Sequence, residues 1–363
     1  MEYSGTPFFI PISEISTENL RIMTDHIIHT SEVGSTLEEY AEYSRPDKII
    51  ILADTNTNIY CAEKALGRKA DIIIPAGEEN KTLPTLAEVW RQLSDGGASR
   101  KTLLVNIGGG VVTDLGGFAA ATFKRGIRFV NIPTTLLAMV DASSGGKTAI
   151  DFNGLKNEVG TFRTAERVIV SPHFLTTLPR PQLLSGYAEM IKHGLIDSRR
   201  LWADTLLSAD QLQRPSLMGE IIQRSLDVKR RITIEDPYET GLRKALNLGH
   251  TAGHALESLP ATTAPHGHCI AAGLICALYL SHIKLGFPSK DLATTTSFIK
   301  EHYPRIACNC KQYPELIQIM KHDKKNHDGE IRFTLLREIG RPQTDIAINE
   351  EEIKQALDFY REG

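Results

Sequence analysis

Short apolar runs separated by stretches of helical length dominate the first part of this sequence. The runs are KIIILA, DIIIP, TLLVNI, IRFVNI and RVIV, and they begin at residues 48, 71, 102, 127 and 167. An amphipathic stretch at residues 83–94 lies between two of them. Apolar runs that alternate with helices are typical of βαβ units. The sequence therefore predicts an α/β fold with a mostly parallel sheet in its N-terminal part.

The pattern changes after Ser171, where helical periodicity replaces the short strands. Segments with that periodicity occupy residues 183–196, 217–234, 244–258, 269–285 and 350–361. The chain has 363 residues, which at roughly 150 residues per domain suggests two domains. We therefore predict an α/β domain at residues 1–175 and an all-helical domain at residues 176–363.

The composition excludes several classes of protein. Hydrophobic residues make up 41% and charged residues 23%, and the formal net charge of −3 does not suit a general nucleic-acid binder. The longest apolar run, residues 269–280, has 12 residues, whereas a membrane span needs about 20. The N-terminus has no basic stretch before an apolar one, so we expect no secretory signal. Five cysteines without a CxxC pair predict reduced thiols and a cytoplasmic protein.

A glycine-rich segment, IGGGVVTDLGG, begins at Ile107 where a predicted strand meets a predicted helix. Glycines at such a junction let backbone N–H groups approach a phosphate. The match to GxGxxG is imperfect because Thr113 replaces the third glycine. The segment therefore fits a nucleotide site and a tight turn without a ligand equally well. Asp54, at an earlier strand end, could bind a ribose hydroxyl, although a helix N-cap is the simpler interpretation.

Histidines at helical spacing suggest a metal site in the second domain. His250 and His254 are four residues apart and share one helical face, and His266 and His268 follow after a loop. Glu189 lies in a separate segment, and two imidazoles with one carboxylate would leave positions open on a zinc ion. Histidine pairs at this spacing also occur at surfaces and in cores. Spacing alone therefore leaves both interpretations open.

Basic residues recur within glycine-rich or apolar segments of the chain. They are Lys147, Lys156, Lys192, Lys229, Arg243, Lys324 and Lys325. Such residues suit a substrate that carries phosphate and carboxylate groups. For each of them alone, a solvated surface charge or a snorkelling side chain is the favoured interpretation. Only their convergence in space would make a site.

Five longer segments together resemble sequences of the 3-dehydroquinate synthase family. Members of this family are sugar-phosphate cyclases of the shikimate pathway. The segments are GGGVVTDLGGFAAATFKRGI, NIPTTLLAMVDASSGGKTAID, SGYAEMIKHGLI, RKALNLGHTAGHALES and HGHCIAAG, and the resemblance covers residues 48–340. It implies a Rossmann-like N-terminal domain and a helical C-terminal domain. It also implies NAD, a divalent metal that is zinc or alternatively cobalt, a sugar-phosphate substrate and a homodimer.

The resemblance assigns roles residue by residue. The metal ligands it implies are Glu189, His250 and His266, and the catalytic residues are His254, Lys147 and Glu239. The implied NAD site is built from Asp54, Asn56, Glu78, Lys81, Gly109, Gly110, Asp114, Thr134, Thr135, Lys156, Phe174 and Thr177. The implied substrate site is built from Asp141, Lys147, Asn157, Lys192, Lys229, Arg243, Asn247, His254 and one of Lys324 and Lys325. Arg125 matches an arginine that reaches the active site of the neighbouring subunit.

One departure from the family pattern bears on the metal. The family usually has glutamate where this chain has His268, so His266 and His268 are both candidate ligands. Ala252 and Asp151 also differ from the common residues, but neither change removes a proposed contact.

The reaction that the resemblance implies converts 3-deoxy-D-arabino-heptulosonate 7-phosphate into 3-dehydroquinate and phosphate. NAD oxidises a ring hydroxyl, phosphate leaves by β-elimination, the hydride returns, and the opened ring closes by an aldol step. His254 would carry a proton because imidazole titrates near neutral pH. This is a lyase reaction without net redox change.

Three alternative functions remain open from the sequence. Another sugar-phosphate cyclase would make 2-deoxy-scyllo-inosose or a valiolone, but Arg243 and Asn247 suit a substrate carboxylate. A polyol dehydrogenase of the glycerol dehydrogenase type would not need the set of lysines. An inactive NAD-binding protein would not need Glu189, His250 and His266 together with Lys147.

Overall fold

The structure, a computed structural model, describes residues 26–143, 145–236, 238–259, 262–321 and 330–362. These residues form two compact units. One comprises the residues up to Pro133 with Gly146–Ser171, and the other comprises Thr134–Gly145 with the residues from Pro172 onward. The predicted N-terminal domain, residues 1–175, included the segment that joins the second unit. Thr134–Gly145 groups with the second unit because its π-helical turn, Ala138–Ala142, packs against two helices of that unit.

The first unit is built on a six-stranded parallel sheet. Its strands are β1 (Ile27–His29), β2 (Ile49–Asp54), β3 (Ile72–Ile74), β4 (Leu103–Gly108), β5 (Arg128–Pro133) and β8 (Arg167–Val170). They lie in the order β1-β8-β5-β4-β2-β3. Helices α1 (Val33–Ser44), α2 (Leu83–Asp95) and α3 (Gly110–Thr122) belong to this unit. Every residue of β4 is buried, as expected for a central strand covered on both faces. The predicted parallel sheet is therefore confirmed.

Glycines allow helix α3 to approach the sheet closely. A Cβ at Gly116 would lie 2.2 Å from Oδ1 of Asn106, and a Cβ at Gly117 would lie 2.5 Å from Cγ2 of Thr148. A Cβ at Gly108 would lie 2.5 Å from Cβ of Val112. The glycines of IGGGVVTDLGG thus bring strand and helix together, which is one of the roles that glycines have in nucleotide-binding turns.

An antiparallel hairpin, which the sequence analysis did not predict, packs against α3 in the first unit. It consists of β6 (Lys147–Phe152) and β7 (Leu155–Phe162). Its apolar side chains Phe152, Leu155, Val159 and Phe162 are exposed. The signal was weak because β7 is solvent-exposed along almost its whole length and has no buried face to impose an alternating pattern.

The second unit is mostly helical. Its helices are α4 (Arg180–Asp197), α5 (Arg199–Leu207), α6 (Pro215–Glu235), α7 (His250–Glu257), α8 (His266–Leu285), α9 (Ser289–His302), α10 (Tyr313–Lys321) and α11 (Glu350–Glu362). The predicted helix at residues 244–258 is divided into a 3-10 segment, Leu242–Asn247, and α7. Gly249 separates the two with a φ of 79°, a conformation that glycine adopts without strain.

The prediction of an all-helical second domain was wrong in one respect. Strands β9 (Ile331–Glu338) and β10 (Arg341–Ile348) form an antiparallel pair in the second unit. Most of β9 is buried, and β9 packs against α8, so the hairpin covers part of the helical core.

Helix α8 is the central helix of the second unit. With a mean hydropathy of 1.5 it is long and apolar enough to cross a membrane, yet 72% of that stretch is buried inside the protein. Its contacts with α4, α7, α9 and α11 explain this composition, since a helix surrounded by other helices is apolar on every side.

We predict that Gly273→Ala will destabilise the second unit by about 1–3 kcal/mol. A Cβ at this position of α8 would lie 2.0 Å from the carbonyl oxygen of Gly249, so the turn that precedes α7 would have to move. Gly219→Ala is the matched control, because its Cβ would meet only Cγ of Pro172 at 3.8 Å. Urea unfolding should show a lower midpoint for Gly273→Ala only. Equal midpoints for the two variants would contradict this packing.

Candidate functional site

Three histidines converge in the second unit. His250 and His254 come from α7 and His266 from the first residue of α8, and one ring nitrogen of each lies within 4.8 Å of the others. Glu189 of α4 joins them, with its Oε1 3.6 Å from Nε2 of His250 and 3.8 Å from Nε2 of His266. These four side chains, here called the histidine cluster, bring together the residues that the sequence analysis expected at the metal.

The carboxylate of Glu189 is in an environment that suits a cation. Its side chain is 1% exposed, and its Oε1 has no hydrogen-bond partner among the described residues. The ammonium of Lys192 contacts Oε2 and leaves Oε1 facing the histidines. A buried carboxylate is costly unless it is paired or binds a metal. The donor set of one carboxylate and imidazole nitrogens is one that zinc and cobalt accept.

Hydrogen bonds orient two of the imidazoles. Nδ1 of His250 lies 3.2 Å from the carbonyl oxygen of Leu248, and Nδ1 of His266 lies 2.9 Å from Oε2 of Glu257. Each bond leaves Nε2 directed at Glu189, which is how metal-binding histidines are usually held. Burial lowers the pKa of His266, but the carboxylates of Glu257 and Glu189 outweigh it and raise that pKa.

His268 lies away from the cluster. Its Nε2 is 3.1 Å from the carbonyl oxygen of Pro181, and its ring packs edge-on against Tyr303 with the centroids 5.4 Å apart. His266 and His268 are two residues apart on one helix and therefore point in nearly opposite directions. Of the two histidines that the sequence left open, His266 is the one in the cluster.

A charged network borders the cluster within the same unit. Nζ of Lys229 lies 2.7 Å from Oδ1 of Asp141 and 2.6 Å from its carbonyl oxygen. Burial alone would raise the pKa of Asp141, but Lys229 and Lys192 hold it well below its usual range. Burial lowers the pKa of Lys229, and Asp141 offsets this only in part. The network thus concentrates buried positive charge beside an ionised carboxylate.

His193 also faces this network. It is fully buried, its Nδ1 lies 2.8 Å from Oγ of Ser225, and its Nε2 lies 4.0 Å from Oδ1 of Asp141. Burial and the charge of Lys192 hold the pKa of His193 well below its usual value. The imidazole is therefore neutral at physiological pH.

Asp236 organises the loop that carries Arg243. Its carboxylate accepts hydrogen bonds from the backbone N–H groups of Thr240, Gly241 and Arg243 at 2.7–3.0 Å. The guanidinium of Arg243 donates in turn to the carbonyl oxygen of Gly145 at 3.2 Å. Sequence reasoning missed Asp236. It lies four residues before Thr240 and five before Gly241, and aspartate and glycine are common in turns that a side chain closes.

Glu239 and Asn247 form a pair beside that loop. Nδ2 of Asn247 donates to Oε1 of Glu239 at 2.7 Å. The backbone of Glu239 has a φ of 61°, an unusual conformation for a residue with a side chain. The bond turns the carboxylate of Glu239 toward Asn247.

In the first unit, three candidate NAD residues lie at the edge where the strand order reverses. Asp54 ends β2, and Gly109 and Gly110 follow β4, the neighbouring strand. The chain continues from β2 to β3 on one side and from β4 to β5 on the other side. The carboxyl ends of β2 and β4 therefore form a topological switch point. Oδ1 of Asp54 accepts from the N–H groups of Asn56 and Thr57, so this carboxylate is also the helix N-cap.

Lys81 joins further candidates of the first unit. Its buried Nζ lies 2.6 Å from Oδ2 of Asp114 and 2.6 Å from Oδ1 of Asn157. Burial would lower the pKa of Lys81, but Asp114 and Glu78 raise it above its usual value. Asn157, expected at the substrate, thus lies beside two residues expected at NAD.

The remaining predicted residues are more dispersed. Glu78, Lys147, Lys156 and Arg125 are exposed on the first unit, and Arg125 has a φ of 68°. Thr134, Thr135, Phe174 and Thr177 belong to the second unit, where the buried hydroxyl of Thr134 has no partner among the described residues. Lys324 and Lys325 lie outside the described residues.

Glu257 is a further residue that sequence reasoning missed. It lies seven residues after His250 on α7, which places it on the same helical face, and it binds His266. That spacing was visible in the sequence, but its partner belongs to another helix.

Family models match most of this chain. The model described as 3-dehydroquinate synthase N-terminal matches residues 71–185, and the one described as 3-dehydroquinate synthase C-terminal matches residues 186–326. A 3-dehydroquinate synthase of Parabacteroides distasonis is 47% identical over 345 residues, which are 93% of this chain and 98% of that protein. One of Pyrococcus abyssi is 39% identical over 336 residues, or 90% and 97% of the two chains.

Solved structures with a similar fold include other cyclases. A 2-epi-5-epi-valiolone synthase of Streptomyces hygroscopicus with NAD⁺ and Zn²⁺ bound has a TM-score of 0.81 at 23% identity, covering 93% of this chain and 96% of that one. A 2-deoxy-scyllo-inosose synthase with carbaglucose-6-phosphate, NAD⁺ and Co²⁺ has a TM-score of 0.80 at 26% identity and the same coverage. A butanol dehydrogenase of Thermotoga maritima has a TM-score of 0.64 at 12% identity, covering 92% and 96%.

We predict that Asp236→Asn will lower the stability of the second unit at neutral pH. The backbone N–H groups of Gly241, Thr240 and Arg243 outweigh burial and lower the pKa of Asp236 to about 2. The unfolded value is about 3.9, so this carboxylate stabilises the fold above that pH and loses its effect as the pH falls toward about 2. Urea midpoints of the wild type and the variant should therefore differ at pH 7 and converge only as the pH falls from about 4 toward about 2.

The control for this comparison is Glu235→Gln. Glu235 is exposed at the end of α6, next to Asp236. A difference between wild type and Asp236→Asn that is independent of pH, or one that Glu235→Gln reproduces, would contradict the role given to Asp236.

Proposed function

This chain belongs to the 3-dehydroquinate synthase family, and on that premise we propose that Glu189, His250 and His266 hold its divalent metal. Enzymes of the family depend on NAD and a metal. The chain is a phosphorus–oxygen lyase that converts 3-deoxy-D-arabino-heptulosonate 7-phosphate into 3-dehydroquinate and phosphate, a step of the shikimate pathway. The observation that carries the metal assignment is the buried Glu189 carboxylate, within 4 Å of Nε2 of two histidines.

When bound, NAD accepts and returns a hydride at the substrate, and the metal stabilises negative charge on the oxygen concerned. The chain's own residues have the task of holding a flexible substrate through several steps. His254 is 5.1 Å from His250 and 5.7 Å from His266 between ring centroids, and we assign it the transfer of protons. We give it this role, and not that of a ligand, because the other two histidines and Glu189 already form a three-ligand set.

Cationic side chains of the second unit fit the anionic groups of the substrate. Lys192, Lys229 and Arg243 are each buried, so their charges act through a low-dielectric environment. We assign to them, with Asp141 and Asn247, the orientation of phosphate and carboxylate. Glu239 is a positioning residue in this proposal because it acts through the amide of Asn247.

We further assign the NAD site to the switch point of the first unit. Gly109 is the N-cap residue of α3, whose N-terminus suits the pyrophosphate, and Asp54 suits a ribose hydroxyl. The remaining assignments follow the family resemblance: Asn56, Glu78, Lys81, Asp114, Thr134, Thr135, Lys156, Phe174 and Thr177 at NAD, and Lys147, Asn157 and one of Lys324 and Lys325 at the substrate.

A homodimer is a further part of the proposal. The exposed apolar residues of the β6–β7 hairpin are Phe152, Leu155, Val159 and Phe162, and a subunit interface would cover them. Arg125 is exposed and extends from a left-handed backbone segment that also includes Lys124. This arrangement suits a residue that acts on the neighbouring subunit.

We also propose that the protein is located in the cytoplasm. Its five cysteines are free thiols, and three of them, Cys61, Cys269 and Cys276, are buried. Disulfides are rare in reducing compartments, and a soluble biosynthetic enzyme with free thiols fits such a compartment.

We predict that Glu189→Gln and His250→Ala will each lose the bound metal and at least about 99% of phosphate release. Glu257→Gln should lower metal affinity by about 10–100-fold, because Glu257 orients His266. His268→Ala is the matched control and should retain metal, since it bonds to Pro181. Metal content after stripping and zinc readdition, circular dichroism and phosphate release provide the measurements. Full metal content in Glu189→Gln would refute the ligand set.

We predict that two inactive variants will restore activity when their subunits are mixed. Arg125→Ala removes the side chain that is proposed to act in the active site of the neighbouring subunit. Glu189→Gln removes a proposed metal ligand. If Arg125 acts across the interface, half of the randomly mixed dimers have one intact site, and activity rises to about a quarter of wild type. Unmixed variants are the controls, and analytical ultracentrifugation measures the dimer. No recovery despite verified subunit exchange would contradict the assignment.

A further inference from the structure

A cavity of about 240 Å³ lies in the second unit, apart from the histidine cluster. Side chains from α8, from α9 with the residues that follow it, and from the end of α11 line it. His268 contributes to its wall, whereas His266 belongs to the cluster. Most ligand pockets are about 300–1,000 Å³, so this cavity suits a small molecule.

The inner walls of the cavity are apolar. Ile275, Ile299, Tyr303 and Tyr360 all line it and are at most 7% exposed. The hydroxyl of Tyr303 donates to the carbonyl oxygen of Leu184 at 2.9 Å, and that of Tyr360 accepts from the N–H of Ile306 at 2.8 Å. Because both hydroxyls are occupied, the tyrosines offer mainly their rings. Such walls select an apolar body about the size of one aromatic ring.

The rim of the cavity carries uncompensated positive charge. Lys300 and Arg305 line it, and neither has a carboxylate partner among the described residues. Partial burial lowers the pKa of Lys300, and the charge of Arg305 lowers it further. Arg361, in contrast, is paired with Asp358 at 3.0 Å and with Glu362. Two neighbouring cations without a counterion favour a carboxylate on the ligand.

His268 adds a hydrogen-bond acceptor that has no partner. A carbonyl oxygen can only accept, so the bond to Pro181 places the proton on Nε2 and leaves Nδ1 as an acceptor. Nδ1 is buried and has no partner among the described residues, in a side chain that is 4% exposed. A buried acceptor of this kind is usually satisfied by a donor such as a hydroxyl group.

We propose that this cavity is a second ligand site, which binds a small hydroxylated aromatic carboxylic acid. The ring packs against Ile275, Ile299 and the two tyrosines, and the carboxylate pairs with Lys300 and Arg305. The site is independent of the proposed active site, since none of its residues is in the histidine cluster or the charged network. A ligand here contacts the first turn of α8, the helix that also carries His266.

The test is a calorimetric titration of the metal- and NAD-loaded protein with 4-hydroxybenzoate. The same titration with 4-hydroxybenzamide removes the charge and keeps the ring, and acetate keeps the charge and removes the ring. We expect the carboxylate to bind at least about 10-fold more tightly than the amide, and acetate to show no binding at the same concentrations. Equal affinity for acid and amide, or no binding at millimolar concentrations, would overturn the proposal.

Variants then locate the site. Lys300→Gln and Arg305→Gln change exposed residues, so they should fold normally and should each weaken binding by about 5–10-fold. Lys290→Gln is the matched control, because Lys290 is an exposed lysine of the same helix that does not line the cavity. Unchanged affinity in the double variant Lys300→Gln/Arg305→Gln would show that the acid binds elsewhere. Loss of binding in Lys229→Met with retention in that double variant would place it at the active site instead.

Discussion

The burial of one carboxylate, that of Glu189, governs the arrangement of the second unit. An ionised group at 1% exposure needs compensating charge, and Lys192, His250 and His266 surround it. Helices α4, α7 and α8 each supply part of this environment, so the packing of these three helices brings the ligand set together. The glycines at 249 and 273 allow α7 and α8 to approach closely enough, because a Cβ at position 273 would overlap the carbonyl oxygen of Gly249.

The first unit also has to place polar groups around a buried core. Its central strands are fully buried, so the polar elements of the unit concentrate at the strand ends and in a few internal pairs. In the core, Nδ2 of Asn106 donates to Oδ1 of Asn131 on the neighbouring strand at 2.9 Å. The switch point between β2 and β4 leaves an edge where Asp54 and the glycine turn are available to a ligand. Positive charge is placed instead on Lys81, where Asp114 and Asn157 anchor it.

The sequence predicted the parallel strands more completely than it predicted the hairpins or the geometry of the site. The five strands named in the sequence appear within one or two residues of their predicted ends, because a buried parallel strand must be apolar along its length. Both hairpins escaped prediction: β7 lies exposed, and β9–β10 follows a long helical region. The sequence named the residues that the structure brings together around Glu189, but the choice between His266 and His268 needed coordinates, since the two differ only in the direction of their side chains.

The sequence by itself determined the alternation of strands and helices, the glycine turn and the family, because each is written in local composition or in long matching segments. Tertiary structure alone decided that Glu257 orients His266, that Asp236 holds the Arg243 loop, and that His268 faces a separate cavity. These relations join residues through the packing of different helices or through the folding of an irregular loop. A one-dimensional pattern records which face of a helix a residue occupies, but not which neighbour that face will meet.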